Sequence, residues 1–195
     1  LLDRTLGWYE KAEPIAREIA QRQGFDGVRW MKMTAPSGIE APSKVGSFLI
    51  WQQTHLIYLA ELLYRSDPTK EVLEKYNRLV QATAEFMYSF ATYDELEGRY
   101  VLKGAIPAQE TLRAAETVNP PFELSYWHFA MQTAQQWRER MGQQRSLEWD
   151  EMIDKLSPLA SNKEGLYLAA ETATDTYKDI RYNSDPMAVL VSVGI

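Results

Sequence analysis

At 195 residues, 45% of them hydrophobic and 12% aromatic, the chain is long enough to bury a sizeable core, as one domain or as part of a larger one. The net charge of -6, with Lys and Arg scattered rather than clustered, argues against a broad polyanion-binding surface, so no nucleic-acid partner is expected. No apolar run approaches the roughly 18 residues of a membrane span, and the lack of cysteine removes thiol catalysis, disulfides and thiolate metal sites while leaving the compartment open. The histidines, His55 and His128, are too few and too far apart in sequence for a histidine-rich metal site.

The chain opens on Leu1 rather than Met and ends in the apolar PMAVLVSVGI with no polar stop. Both ends read as cuts within a longer polypeptide. The first element is a helix over residues 3–23, with Ile15, Ile19 and the small Ala12, Ala16 and Ala20 at mixed three- and four-residue spacing. Pro14 either kinks it or starts its second half, and Gly24 stops it. Residues 24–44, GFDGVRWMKMTAPSGIEAPSK, lose the helical period and form a connection with a short strand or extended segment at VRWMKM. This connection carries Arg29, Trp30, Lys32 and Glu40. A helix apolar almost all round is expected over residues 48–64, buried between other helices, with Trp51, Gln52, Gln53, Thr54 and His55 gathered at its N-terminal end.

SDPTKE then starts an amphipathic helix over residues 70–93, capped by Asp67 or Thr69. DELEGRYVL reads as a turn and a short strand. The stretch 103–127, KGAIPAQETLRAAETVNPPFELSYW, opens with a long connection that holds Gln109, Glu110, Glu116, Asn119 and Glu123 beside three prolines. Long ordered loops of this kind are usually functional. A helix over residues 122–141 follows, entered through Pro120 and Pro121, then one over residues 147–156 capped by Ser146. A long polar segment precedes a last apolar helix from Met187. Paired helices with long loops describe a toroid of helical hairpins better than a bundle with short turns.

GVRWMKMTAPSGIEAPSKVGSFLIWQQTHLIYLAELLYR, IPAQE and NPPFELSYWHF resemble the catalytic domain of the six-hairpin glycosidases, in particular the clan of maltose and kojibiose phosphorylases and glucosylgalactosylhydroxylysine glucosidase. The resemblance covers most of residues 8–185. It implies an all-α fold, part of an (α/α)₆ toroid, and a carbohydrate-active enzyme that needs no cofactor or metal. In that clan a loop glutamate is the general acid. The matching position is Glu110 in IPAQE, although the clan's Gly-Pro-Asp-Glu run is absent, which leaves Gln109/Glu110 against Glu123 open. Hydrolases of the clan use a second carboxylate as base and phosphorylases a phosphate pocket, either of which would lie in later helices outside this chain. Exposed apolar surface, or self-association that covers it, is then expected where those helices belong.

The residue chemistry points the same way. Inverting glycoside cleavage uses two carboxyl groups on opposite faces of the sugar, one of them protonated. Sugar rings also need flat aromatic surfaces and amide or charged groups for their hydroxyls. Trp30, Trp51, Tyr126 and Trp127 are candidates for stacking, and Arg29, Lys32, Glu40, Gln52, Gln53, His55, Gln109 and Asn119 for the polar contacts. Trp127, on a helix after Leu124, has packing as its alternative, and His55 a structural hydrogen bond. Glu123, in a first helical turn, is stabilised as a carboxylate by the helix dipole, which suits a base or hydroxyl binder rather than an acid. Two other classes stay open. A helical-repeat scaffold would share this composition, although no fixed repeat is visible. A polysaccharide lyase would use Tyr, His or Asn as base with Arg or Lys on a uronate, roles open to Arg29, Lys32, His55 and Asn119.

Overall fold

The computed structural model describes residues 1–108 and 110–182. Gln109 and the helix expected from Met187 lie outside the described residues. The described chain contains five α-helices: α1 (Leu2–Arg22), α2 (Thr54–Ser66), α3 (Lys70–Phe90), α4 (Pro121–Arg140) and α5 (Leu147–Lys155). A two-stranded antiparallel hairpin, β1 (Thr92–Asp94) and β2 (Arg99–Val101), pairs Tyr93 with Tyr100 between α3 and α4. Among the described residues no helix is long and apolar enough to cross a membrane.

The helix starts follow local chemistry. Thr69 Oγ1 accepts the Val72 N–H and Ser146 Oγ accepts the Trp149 N–H, each satisfying a donor that the first turn cannot pair internally. Pro121 opens α4, where a missing N–H costs nothing. Two boundaries differ from the sequence reading for tertiary reasons. The helix expected from residue 48 begins only at Thr54, after short 3₁₀ turns at Gly46–Phe48 and Trp51–Gln53. Between those turns Leu49 is extended and bridges to Ile106, and Phe48 O accepts the Ile106 N–H, so the backbone is spent on a long-range pairing. Similarly, α3 ends at Phe90 rather than at residue 93 because Thr92 begins the hairpin.

The order of contacts sets the direction of each helix. Trp127 Nε1 donates to Met87 O while Gln81 Nε2 donates to Ala134 O, so α3 and α4 are antiparallel. Thr54 Oγ1 reaches Tyr126 O and Trp137 Nε1 reaches Glu61, so α2 and α4 are parallel. Asp3 meets Tyr76 and Glu13 meets Arg78, which places α1 alongside α3 in the same sense. The C-termini of α1 and α3 and the N-termini of α2 and α4 therefore gather at one end. The connections 23–53 and 91–120 both leave from that end.

The core between these helices is apolar and aromatic, with Leu6, Ala16, Leu56, Ile57, Tyr76, Phe86, Met87, Trp127 and Trp137 all within it. Glu61 is a charged group buried against it. Glu61, 2% exposed, accepts from Trp137 Nε1 at 2.9 Å, from Arg65 Nε at 2.8 Å and from both terminal nitrogens of Arg140 at 2.6 and 3.2 Å. Burial by itself pushes the Glu61 carboxyl up, but the hydrogen bonds from Arg140, Arg65 and Trp137 outweigh it and hold it below its usual value of 4.5. A smaller cluster of Leu112, Ala169, Ala170, Ala173 and Tyr182 seats the 157–182 segment against the 103–120 connection.

Glu61→Leu is expected to lower stability by about 3–5 kcal/mol in urea denaturation, because it strands Arg140 and the Trp137 N–H. Since folding lowers the Glu61 value, its contribution is complete above about pH 4.5 and is lost as pH falls through the lower folded value. The urea midpoints of wild type and variant should therefore approach each other on acidification.

Candidate active site

The site is built on the connection between α1 and α2, and main-chain pairing fixes that connection to the helices. Val28 N–H donates to Ala82 O and Arg29 N–H to Ala16 O, each at 3.0 Å. Gly27 sits at φ 66°, and a Cβ there would lie 2.1 Å from Ala82 O, so only glycine lets the loop approach α3 this closely. Trp30 is then held on three sides. Its N–H donates to Gln53 Oε1 at 2.9 Å, its carbonyl accepts from Gln53 Nε2 and from Gln52 Nε2, and its indole N–H donates to Thr83 Oγ1 at 2.9 Å.

Beside this clamp lies a cavity of about 210 Å³ lined by Trp8, Tyr9, Trp30, Met31, Lys32, Thr34, Trp51, Gln52 and His55. Lys32 Nζ forms an ion pair with Glu110 and lies 5.9 Å from the Trp51 ring centre. The His55 ring meets Trp51 edge-on at 5.1 Å, and its Nδ1 is 3.0 Å from Tyr126 Oη. Burial lowers the His55 value, which favours the neutral ring. Among the described residues, two polar atoms of the lining side chains are buried without a hydrogen-bond partner: Gln52 Oε1, on a residue only 6% exposed, and Trp51 Nε1. Orphaned buried groups are rare in folded proteins and often mark a place where something else binds. Larger grooves of about 510 and 550 Å³ lie elsewhere, one beside His128 and one between Arg17 and Arg138. Neither contains any residue selected from sequence for the sugar site.

Glu110 lies at φ 63° at the end of a turn closed by its N–H on Pro107 O. A non-glycine residue in this region is uncommon, and such conformations cluster at functional sites. Its loop is fixed from two sides. Glu123, 1% exposed in the first turn of α4, accepts the Ala108 N–H at 2.8 Å. Asn119, at φ 52°, exchanges hydrogen bonds with the Leu102 backbone and donates to Glu171, which in turn pairs with both terminal nitrogens of Arg99.

The structure thus brings together Trp30, Lys32, Trp51, Gln52, His55 and Glu110. Gln53, fully buried, is spent on the Trp30 backbone. Trp127 is also fully buried, gives its N–H to Met87 O and packs on Phe90, so it has no face at the cavity. Glu40 pairs with Arg22 and bridges to Thr34, holding its own loop closed. Arg29 lies under the rings of Phe25, Phe86 and Phe90, donates to Gln23 and Ser47, and is pulled down by burial to about 10. Sequence reasoning missed Trp8 and Tyr9. Adjacent residues on a helix point about 100° apart, so a Trp-Tyr pair ahead of an alanine stripe is a signal that one ring leaves the core.

No family model matches the chain, and no curated protein matches it by sequence. Among solved structures, one named "Putative kojibiose phosphorylase from human microbiome" matches 86% of this chain with a TM-score of 0.66 at 12% sequence identity. The likeness is one of fold. It establishes the all-α architecture as part of a helical toroid, and the chain spans 24% of that structure's length.

Gln53→Leu is expected to cost about 2 kcal/mol by leaving the Trp30 N–H unpaired. Amide exchange should quicken across residues 28–32 while protection within α4 is retained.

Proposed function

We propose that this chain contributes part of the sugar-binding and catalytic end of a carbohydrate-active enzyme that cleaves glycosidic bonds. The observation that carries the reading is the cavity itself. It has aromatic walls of Trp8, Tyr9, Trp30 and Trp51, a Lys32–Glu110 pair at one side and, among the described residues, an unpartnered acceptor on Gln52 and an unpartnered donor on Trp51. A polyol supplies both the apolar ring faces and the hydroxyls that this set lacks. The fold likeness to a structure named as a kojibiose phosphorylase supports the same class.

Glu110 is the proposed general acid. An acid must carry its proton to the glycosidic oxygen, so the Lys32 ion pair has to open when substrate enters, with Lys32 passing to a sugar oxygen. Glu123 is read as the anchor of the Glu110 loop and remains the second carboxyl candidate. The proposed reaction is inverting hydrolysis with the base supplied by helices beyond this chain. Phosphorolysis is the alternative, favoured by the name of the structural neighbour. A lyase reading is weakened because Arg29 and Asn119, two of its candidates, are committed to the protein's own groups.

The test is turnover of a panel of α- and β-linked disaccharides by the intact protein, with and without phosphate, comparing wild type with Glu110→Gln. The substitution keeps the shape and removes the transferable proton, so kcat on at least one substrate should fall by roughly 10² or more. Dependence on phosphate would assign a phosphorylase. A full rate for Glu110→Gln would move the acid role to Glu123, and an unsaturated product absorbing in the ultraviolet would replace the reading with a lyase.

A further inference from the structure

We infer that Tyr126 is a positioning residue that fixes His55 in the tautomer carrying its proton on Nε2, so that the imidazole offers a hydrogen-bond donor to a ligand in the cavity. The inference rests on reading that cavity as the sugar site, while the tautomer itself is argued from the surroundings of the Tyr126 hydroxyl. Tyr126 stands on α4 and is itself outside the cavity lining, whereas His55, in the first turn of α2, is within it. The contact between them, Nδ1 to Oη at 3.0 Å, ties the pocket wall to the parallel helix behind it.

Two arrangements fit that distance. In the first, the Tyr126 hydroxyl donates to the bare Nδ1, and the ring proton resides on Nε2. In the second, Nδ1–H donates to the Tyr126 oxygen, and the hydroxyl hydrogen must find another acceptor. Among the described residues Tyr126 Oη has no other hydrogen-bond partner. Its surroundings are rings: Phe122 and Phe129 stack on it at 5.7 and 6.2 Å, and Tyr58 meets it edge-on at 6.5 Å. The residue is only 7% exposed, so the second arrangement would bury a donor with no acceptor, whereas the first leaves idle only weakly accepting lone pairs. Burial also raises the Tyr126 value and lowers that of His55, keeping the phenol protonated and the imidazole neutral at pH 7.

His55 Nε2 has no partner among the described residues, and in the first arrangement it is a donor. It joins the Lys32 ammonium as a second donor on a side chain that lines the cavity. A ligand seated here would present oxygen lone pairs to Lys32 and His55 and a hydroxyl proton to Gln52, which is the pattern of neighbouring hydroxyls on one ring.

The test is ¹⁵N NMR of the histidine side chains in the intact protein at pH 7, with the His55 signals identified by their loss in His55→Asn. Wild type should show a neutral ring protonated on Nε2, and Tyr126→Phe, which keeps the stacking and removes only the hydroxyl, should shift the population toward Nδ1–H. D-glucose serves as the probe ligand, and its dissociation constant should rise about tenfold in Tyr126→Phe. A ring protonated on Nδ1 in wild type, or a tautomer unchanged by Tyr126→Phe, overturns the inference. Either NMR result stands whether or not Glu110→Gln retains activity, so the tautomer and the proposed reaction fail separately.

Discussion

The amide of Gln53 closing on both backbone groups of Trp30 is the interaction on which the site depends. A loop of some thirty residues has little reason to hold one shape, because its backbone polar groups are otherwise served by water. Here the carboxamide supplies one acceptor and one donor, matched to the N–H and C=O of a single residue, and so adds a rung of sheet-like pairing between a loop and a helix start. With Trp30 pinned, its indole reaches Thr83 on α3 and closes one wall of the cavity. Lys32, two residues on, is thereby presented toward Glu110 and Trp51.

That arrangement needs the helices behind it to keep their register. Glu61 provides a fixed point about two turns along α2, where one carboxylate gathers Arg65 from its own helix and Trp137 and Arg140 from α4. A buried carboxylate is costly unless its oxygens are fully used. The same requirement that makes it costly makes it specific, because only one relative placement of α2 and α4 satisfies all the donors. Parallel alignment of these helices then brings His55 and Tyr126 together at the end where the loops converge.

The Lys32–Glu110 pair joins residues 78 positions apart on two loops that are themselves bridged at Leu49 and Ile106. Each loop has its own anchors: Gln52, Gln53 and Thr83 for the first, Glu123, Asn119 and Glu171 for the second. Rigid supports on both sides let a partly exposed ion pair keep a defined geometry, which side-chain entropy would otherwise disperse. The left-handed backbone at Glu110 and Asn119 is held by these same supports.

Local chemistry was legible in the chain itself. Apolar spacing, the caps at Thr69 and Ser146 and the proline entry to α4 located the helices to within a few residues at most of their ends, because each signal acts over a single turn. The cluster of Trp51, Gln52 and His55 at the head of α2, and the presence of Trp30 and Lys32 in a polar loop, were visible for the same reason. What a linear pattern cannot contain is which partner a side chain spends itself on. Gln52 and Gln53 are adjacent and chemically identical, yet of the two only Gln52 keeps a carbonyl oxygen without a partner among the described residues, because Gln53 alone meets the Trp30 backbone with both ends of its amide. The late start of α2, the burial of Trp127 and the meeting of Lys32 with Glu110 are equally products of long-range contact. Sequence determined the helices, their caps and the chemical inventory of the loops; tertiary structure decided which of those groups serve the fold and which, among the described residues, stay unpartnered, since that choice depends on distances between residues far apart in the chain.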